Sequence, residues 1–539
     1  MSAPLSLTGK KWTLKREGAV SDIAELLRRE RGIADDPAAR LSDPYLFREM
    51  KTAVERIRTA MEKGETIAIF GDYDADGVTA SAQLLRFFRR HGIEPLVHLP
   101  HRAQEGYGMK KASIDALKER GAKLIVTVDT GIAAHAEIAH AKSLGIDVII
   151  TDHHRPQGGR PDALAVVHPQ VPTAFPNAHL SGSGVAFMLV RALENGQTWD
   201  GIDLDIALAT IGTIGDLVPL TGENRTLVIH GLKFLSKLPE SPLRDFIEDV
   251  RGTGPLTAGD IAFRVVPRIN AAGRMAHPDI ALRAILEGGE SLAELHKLNG
   301  DRRSFVDELD QLLSKEAKEH HAFIVVTSQN VTPGTAGLLA SRFTERTGRP
   351  SLVAAILGEN AVGSIRSPEG LDVVECLEHP SVRPLLLTYG GHAQAAGCTF
   401  LAADAARLRD ALCAVLAERG IDAHSLTPVL TIDAELSPGS VNAHFVRSLS
   451  TLEPFGAGND EPVFLLKAQT IADLRAVGSD ATHLQCRIGQ IKAIGFGLGA
   501  YAETLGSERV DVACRVGMNA WNGRESIQLF IEDIRVASR

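Results

Sequence analysis

Cysteine is scarce. The 539-residue chain has five, Cys376, Cys398, Cys413, Cys486 and Cys514, and no C-x-x-C pair. That distribution excludes a zinc ribbon and a disulfide framework and fits a reducing compartment, so a cytoplasmic location is expected. Aromatic side chains make up 5% of the chain, so any platform for stacking bases would be sparse. No apolar run approaches the length of about 20 residues that spans a bilayer. Residues 1–18 mix Ser, Lys and Trp and lack the apolar stretch of a signal peptide. The phosphate-binding pattern GxxxxGK[ST] is missing, which gives no sign of nucleotide hydrolysis as an energy source. Repeats and low-complexity segments are missing too. The charge excess is mild, −9 at pH 7. A wholly basic nucleic-acid coat is excluded, while local basic patches are not.

What remains is a long chain with an ordinary apolar content of 44%, enough for two to four domains with substantial cores. The first half alternates strand-like runs, at 66–70, 96–99, 123–128, 147–150 and 163–167, with helix-period stretches at 81–90, 111–120 and 133–143. Short strands that are apolar on both faces and separated by helices indicate a parallel sheet covered on both sides. The interval 291–321 is polar, Leu-rich and free of proline. Its Leu292, Leu295, Leu298, Phe305, Leu309 and Leu312 keep a helical spacing, which predicts one long connecting helix, bent at Gly300. A second α/β unit follows, with strands at 323–327 and 352–356 and a helix at 335–347. After about residue 426 the pattern becomes short and alternating, with Asn522-Gly523 as a hairpin signal, and a small β-barrel is expected. The fold class is multidomain α/β. Its segments are an N-terminal arm 1–45, a catalytic parallel-sheet domain 46–290, the connecting helix 291–321, a smaller α/β domain 322–425 and the β-barrel 426–539.

The acidic residues follow the strands of the first domain. The run at 66–70 is followed by Asp72, Asp74 and Asp76 in "GDYDADG", the run at 123–128 by Asp129 in "DTG", and the run at 147–150 by "TDHH" with Asp152, His153 and His154. Each piece alone has an ordinary explanation as a turn or a helix cap. In a parallel sheet, however, all carboxyl strand ends share one edge, where ligands bind. Asp74, Asp76, Asp129, Asp152, His153 and His154 should therefore converge. Carboxylate oxygens and imidazoles without thiolates suit Mn²⁺ or Mg²⁺, and so many carboxylates suit two ions with a bridging ligand. Without a cation, their mutual repulsion would be costly.

The motifs "GDYDADG", "VDTG", "TDHH" and "IGTIGDLVPL" resemble the four motifs of the DHH phosphoesterase superfamily. "YGGHAQAAG" is similar to the glycine-rich signature of its companion DHHA1 domain, and "LEPFGAGNDEPVF" to the opening of the oligonucleotide-binding (OB) domain of the RecJ exonuclease family. The similarity covers nearly the whole chain in the right order. It implies Asp74 as a ligand of a first ion, Asp76, His153 and Asp216 as ligands of a second, and Asp129 as the bridge. It implies His154 as the residue contacting the reacting phosphate or its attacking water. Some superfamily members have a histidine where Phe70 stands, so the first ion is expected to be held more loosely here. Asp72 is read as a turn cap and Asp152 as a residue orienting a histidine.

On the substrate side, the candidate phosphate contacts are Arg102, Arg268, Asn270, Arg274, Ser364 and Arg366, each read as lying in a Gly- or Pro-containing loop, with His392 in the glycine-rich signature. Ser364 and Arg366, on a "GSIRS" turn, are expected to bind a 5′-phosphate, with Arg102 assisting. The resemblance implies a metal-dependent exonuclease that degrades single-stranded DNA 5′→3′ to 5′-mononucleotides in recombination and repair. It also implies a monomer that cooperates with a single-strand-binding protein and a RecQ-type helicase. One alternative is a small-substrate phosphodiesterase of short oligoribonucleotides or cyclic dinucleotides, which the extra C-terminal barrel disfavours. The other is a non-catalytic replication scaffold, which the retained acidic and His positions disfavour.

Overall fold

In the computed structural model, the structure describes the chain except residues 1–5, 19–21, 34–40, 103–104, 107, 157, 197–200, 253, 318–320, 423–425, 479, 504, 506–508, 522–523 and 538–539. The chain divides into two compact units. One comprises Arg31–Arg302 with Pro454–Asp460, the other Met1–Glu30, Arg303–Glu453 and Glu461–Arg539.

The first unit is built on five parallel strands in the order Leu96–His98, Ile67–Phe70, Leu124–Val128, Asp147–Thr151 and Ala165–Val167. Ile67–Phe70 and Leu124–Val128 are buried along their whole length, as strands covered by helices on both faces must be. The order reverses between these two strands, and at such a switch point the loops leaving the carboxyl ends part to form a crevice. Helices Ala75–Arg90, Gly182–Leu193 and Ile202–Gly215 pack together on one face, and their side chains share the larger hydrophobic core. Lys111–Glu119 and His135–Ser143 cover the smaller core on the other face. Pro454–Asp460 also belongs here: Leu220 N–H donates to Ala457 O at 2.7 Å.

The helix expected at 291–321 spans Gly289–Ala317 and runs through Gly300 unbroken. Residues 318–320 lie outside the described residues. The second unit has a mixed sheet in the order Leu386–His392, Ala395–Leu401, Asn360–Arg366, Ser351–Leu357 and Ile324–Ser328, in which only the last two pair in parallel. Its C-terminal part is a seven-stranded sheet. Strands Val510–Trp521 and Arg524–Val536 pair as an antiparallel hairpin; Asn522 and Gly523 themselves lie outside the described residues. The segment read as an N-terminal arm contributes a strand, Lys11–Leu14, parallel to Val429–Ile432. Trp12 Nε1–H donates to the buried Asp533 Oδ2 at 2.9 Å. Period-two patterning over four residues says nothing about a partner more than 400 positions away, so this pairing was not readable.

Candidate metal centre and substrate face

The strand ends carry the acidic residues to one edge, as the topology requires. Three groups of ligand atoms lie within 4.8 Å of one another: Asp72, Asp74 and Asp129; Asp76, His153 and Asp216; and Asp129, His153 and His154. Asp129 belongs to two of these groups, and so does His153. His153 Nε2 is 3.1 Å from Asp129 Oδ1, 3.5 Å from Asp216 Oδ2 and 3.7 Å from Asp76 Oδ2. Asp129 adopts a left-handed backbone, φ 59°, uncommon for a side chain with a Cβ although Asp is among the types that tolerate it. The turn lets its N–H donate to Thr151 O at 3.0 Å.

The first acidic loop folds differently from its sequence reading. Asp74, not Asp72, caps helix Ala75–Arg90: its Oδ1 accepts from the N–H groups of Asp76 and Gly77 at 3.0 and 3.1 Å. Asp72 is buried, at 3% exposure, and joins the ligand cluster. A capping side chain comes from the residue just before the helix, and the helix begins at Ala75, closer to the acidic run than periodicity suggested. Phe70 is fully buried, its ring centroid 4.8 Å from that of His98.

Asp76 is held in a way the sequence reading missed. It lies at the N-terminus of helix Gly182–Leu193, where Gly182 N–H donates to Oδ2 at 2.6 Å and Ser183 N–H to Oδ1 at 2.9 Å. Helix N-termini favour such an anion. The signal was "LSGSG" ahead of an apolar helical run, with Ser181 as the cap. Two glycines make room: a Cβ on Gly182 would lie 2.5 Å from Asp129 Oδ1, and one on Gly212 would lie 2.5 Å from Asp76 Oδ1. His168 was also missed. Its Nδ1 accepts from Gln170 N–H at 3.0 Å, so Nε2 carries the proton and donates to His154 O at 2.8 Å.

Asp152 orients a histidine, as its position suggested. Its Oδ1 accepts from His154 Nδ1–H at 2.8 Å and from the backbone N–H groups of His153 and His154, while Oδ2 accepts from Ile132 N–H at 2.9 Å. Burial would raise the Asp152 carboxyl, but the His154 hydrogen bond and the two imidazoles hold it well below the usual range. Burial opposes charge on His154, and the Asp152 hydrogen bond more than offsets this, taking it to about 9.

The other carboxylates shift the opposite way. Burial and the charge of Asp74 push Asp76 up to about 7. Asp72, Asp129 and Asp216 lie well above the usual range, again through burial first and neighbouring carboxylates second. Asp72 Oδ1 and Asp129 Oδ1 are buried and accept no hydrogen bond. Buried, mutually repelling carboxylate oxygens without donors fit a divalent cation.

The substrate candidates separate into the two units. In the first, Arg102 lies over the Tyr73 ring, 4.9 Å from its centroid, next to the acidic loop. Arg268, Asn270 and Arg274 are on a helix, Val266–Met275, and not in the loop expected from "VVPRINAAGRM". The helix continues directly from a π-helical turn, Ile261–Val265, so Pro267 lies inside an unbroken helical run where a Pro-containing loop was expected. Asn270 Oδ1 accepts from Ala75 N–H at 2.7 Å, bracing the start of the metal-loop helix. In the second unit, Ser364 and Arg366 lie on strand Asn360–Arg366 and not on a turn. Gly363 fits the strand interior because a Cβ there would meet Leu352. Register places Arg366 opposite Ala395, itself opposite His392, and Ser364 opposite Gly397, itself opposite Gly390. Gly390 and Gly397 thus floor one sheet face between the Ser364–Arg366 side and an exposed His392. Arg366 Nη1 donates to Ser364 Oγ at 3.0 Å.

A parallel sheet with a carboxylate–histidine centre at its switch point, joined to a mixed-sheet domain with a glycine-floored face, defines a DHH–DHHA1 protein. Family models agree: the DHH family N-terminal domain matches residues 66–215, the DHHA1 domain 320–418 and the RecJ OB domain 432–533. The chain belongs to the RecJ family. It is 32% identical over 525 residues to the single-stranded-DNA-specific exonuclease RecJ of Escherichia coli, covering 90% of each chain. It is 36% identical to that of Thermus thermophilus, covering 90% of this chain and 71% of the relative. The Bacillus subtilis relative is also 36% identical, but the chain spans 64% of its length. The crystal structure of Thermus thermophilus RecJ in complex with Mn²⁺ superposes with a TM-score of 0.85 at 31% identity, covering 99% of this chain and 80% of that one. Among the described residues, no helix is long and apolar enough to cross a membrane.

Proposed function

We propose that the protein is a metal-dependent exonuclease that hydrolyses single-stranded DNA from the 5′ end and releases 5′-mononucleotides. The observation that carries this reading is the overlap of three ligand groups through Asp129 and His153, in a chain of the RecJ family. Two Mn²⁺ or Mg²⁺ ions bound there would lower the pKa of an attacking water and stabilise charge on the phosphoryl oxygens. Asp74 with Asp72 would hold one ion, Asp76, His153 and Asp216 the other, and Asp129 both. His154, charged at neutral pH and fixed by Asp152, offers a proton to a non-bridging phosphate oxygen. Arg102, Arg268 and Arg274 would bind phosphates beside the metal loop, with Asn270 holding that loop in place. Ser364, Arg366 and His392 would take the 5′-phosphate over the glycine-floored face.

The match over residues 432–533 to an OB domain supports a long nucleic acid over a dinucleotide as substrate. The retained acidic and histidine positions, Phe70 apart, speak against a scaffold without activity. Work in recombination and repair, a cytoplasmic location and cooperation with a single-strand-binding protein and a RecQ-type helicase belong to the same reading. The deciding assay uses 5′- and 3′-labelled single strands and a blunt duplex, with Mn²⁺ and then with EDTA. Metal-dependent release of labelled mononucleotide from the 5′-labelled strand first, with the duplex spared, is expected. Release from the 3′ end first, or activity that survives EDTA, would refute it.

A further inference from the structure

The two most exposed large apolar side chains among the described residues are Phe263, at 83%, and Leu217, at 70%. Leu217 stands beside the metal centre, and Phe263 lies on a helical turn that packs against helix Ile202–Gly215, which Asp216 caps. Leu217 directly follows Asp216 and has a left-handed backbone, φ 58°, an unusual conformation for a branched apolar residue. Phe263 lies in a π-helical turn, Ile261–Val265, that runs into helix Val266–Met275. Such turns are rare and concentrate at functional sites.

Packing brings the two segments together. A Cβ on Gly215 would lie 3.3 Å from a methyl of Val266 and 3.2 Å from Ala75 Cβ. The end of helix Ile202–Gly215 therefore sits between the metal loop and the helix that follows the π turn. Asn270, seven residues further along the same helical run, bonds to Ala75 N–H. The run that carries Phe263 therefore reaches the metal loop within about 10 Å, a length of one to three nucleotides. Arg264, exposed and 3.4 Å from Asp260, follows Phe263 directly, and Arg268 lies one turn further along the run.

An exposed apolar ring costs solubility and adds nothing to the core, so its place on a helical run that reaches a phosphoesterase centre calls for a ligand with an apolar face and an anionic backbone. We infer that Phe263 is a base-stacking residue, with Leu217 as a second apolar contact, for single-stranded nucleic acid entering the metal centre. The inference rests on the exonuclease reading and deepens it. Unpaired bases can turn a face to the ring and duplex bases cannot, so this contact would contribute to strand selectivity. Arginines next to and one turn beyond the ring supply positive charge suited to a phosphate backbone, which favours nucleic acid over an apolar protein partner.

The test measures binding by the full chain in EDTA, so that hydrolysis is not the readout. The probes are a labelled oligothymidylate of about twelve nucleotides and an abasic strand of equal length and charge. Phe263→Ala should weaken oligothymidylate binding about tenfold and leave the abasic strand unchanged. Phe263→Trp should restore binding, and its indole fluorescence should be quenched by the base-bearing strand alone. Wild-type preference for the base-bearing strand that persists in Phe263→Ala overturns the inference while sparing the exonuclease reading. Equal loss on both strands also overturns it, because the residue would then act on charge or shape. If the wild type binds neither strand and releases no nucleotide with Mn²⁺, both readings fall. Retained DNA binding in Phe263→Ala, with loss of a co-purified protein, would assign the patch to a protein partner and overturn the inference.

Discussion

Replacing Asp152 with Asn tests the histidine at the heart of the proposed chemistry. In the parent, Asp152 takes four hydrogen bonds, three on Oδ1 and one on Oδ2, and His154 titrates at about 9 against an ordinary 6.5. That gap corresponds to about 3 kcal/mol in favour of the charged ring. An amide carries no charge, so in Asp152→Asn the His154 pKa should fall toward the ordinary value. At pH 8 the charged fraction would then drop from roughly 90% to roughly 3%, about thirtyfold. At pH 6 both proteins would be mostly charged and differ by less than about twofold. A bound cation lowers both pKa values together, so in the metal-loaded enzyme the window in which the two proteins differ lies at lower pH. The amide also turns an NH₂ toward either Ile132 N–H or the His154 donors, which costs about 1–3 kcal/mol of stability. NMR titration of His154 in metal-free protein gives the pKa, and kcat/KM on single-stranded DNA between pH 6 and pH 8.5 gives the consequence. A His154 pKa that stays near 9 in the metal-free variant, or an activity loss confined to the low-pH end of the range, would refute the argument.

Gly182→Ala places a methyl 2.5 Å from Asp129 Oδ1; it should displace the proposed bridging carboxylate and weaken Mn²⁺ binding by calorimetry, and unchanged affinity would contradict the proposed bridge. For metal-free protein the sign follows from Asp76: its folded pKa of about 7 lies above the ordinary 3.8, so its contribution is present below about pH 4 and is lost as pH rises through 7. Asp72, Asp129 and Asp216 act in the same direction. Thermal melts in EDTA should therefore show Tm falling from pH 5.5 to pH 8, with Mn²⁺ cancelling the slope; a Tm that rises over this window would be inconsistent. Arg366→Ala should reduce kcat/KM on 5′-phosphorylated ends by roughly ten- to a hundredfold and on 5′-hydroxyl ends far less. Equal losses on both ends would make Arg366 a general phosphate contact.

The sequence by itself carried the catalytic sheet and its acidic edge. Strands such as Ile67–Phe70 and Leu124–Val128 announce themselves because burial on both faces demands unbroken apolar runs. Parallel pairing then sends every carboxyl end to one side, so Asp74, Asp129 and His153 could be brought together without coordinates. Local cues failed where a distant partner decides the outcome. "VVPRINAAGRM" reads as a loop because it holds Pro and Gly, yet the helical run continues through Pro267 from the π turn before it, and Gly273 lets it close on Tyr73 O. "GSIRS" reads as a turn, yet strand neighbours on both sides extend it. Asp72 and Asp74 are the same residue type two positions apart. Which one caps a helix and which one is buried among the other carboxylates was decided only when Asn270, from 195 residues away, took Ala75 N–H and fixed where that helix begins.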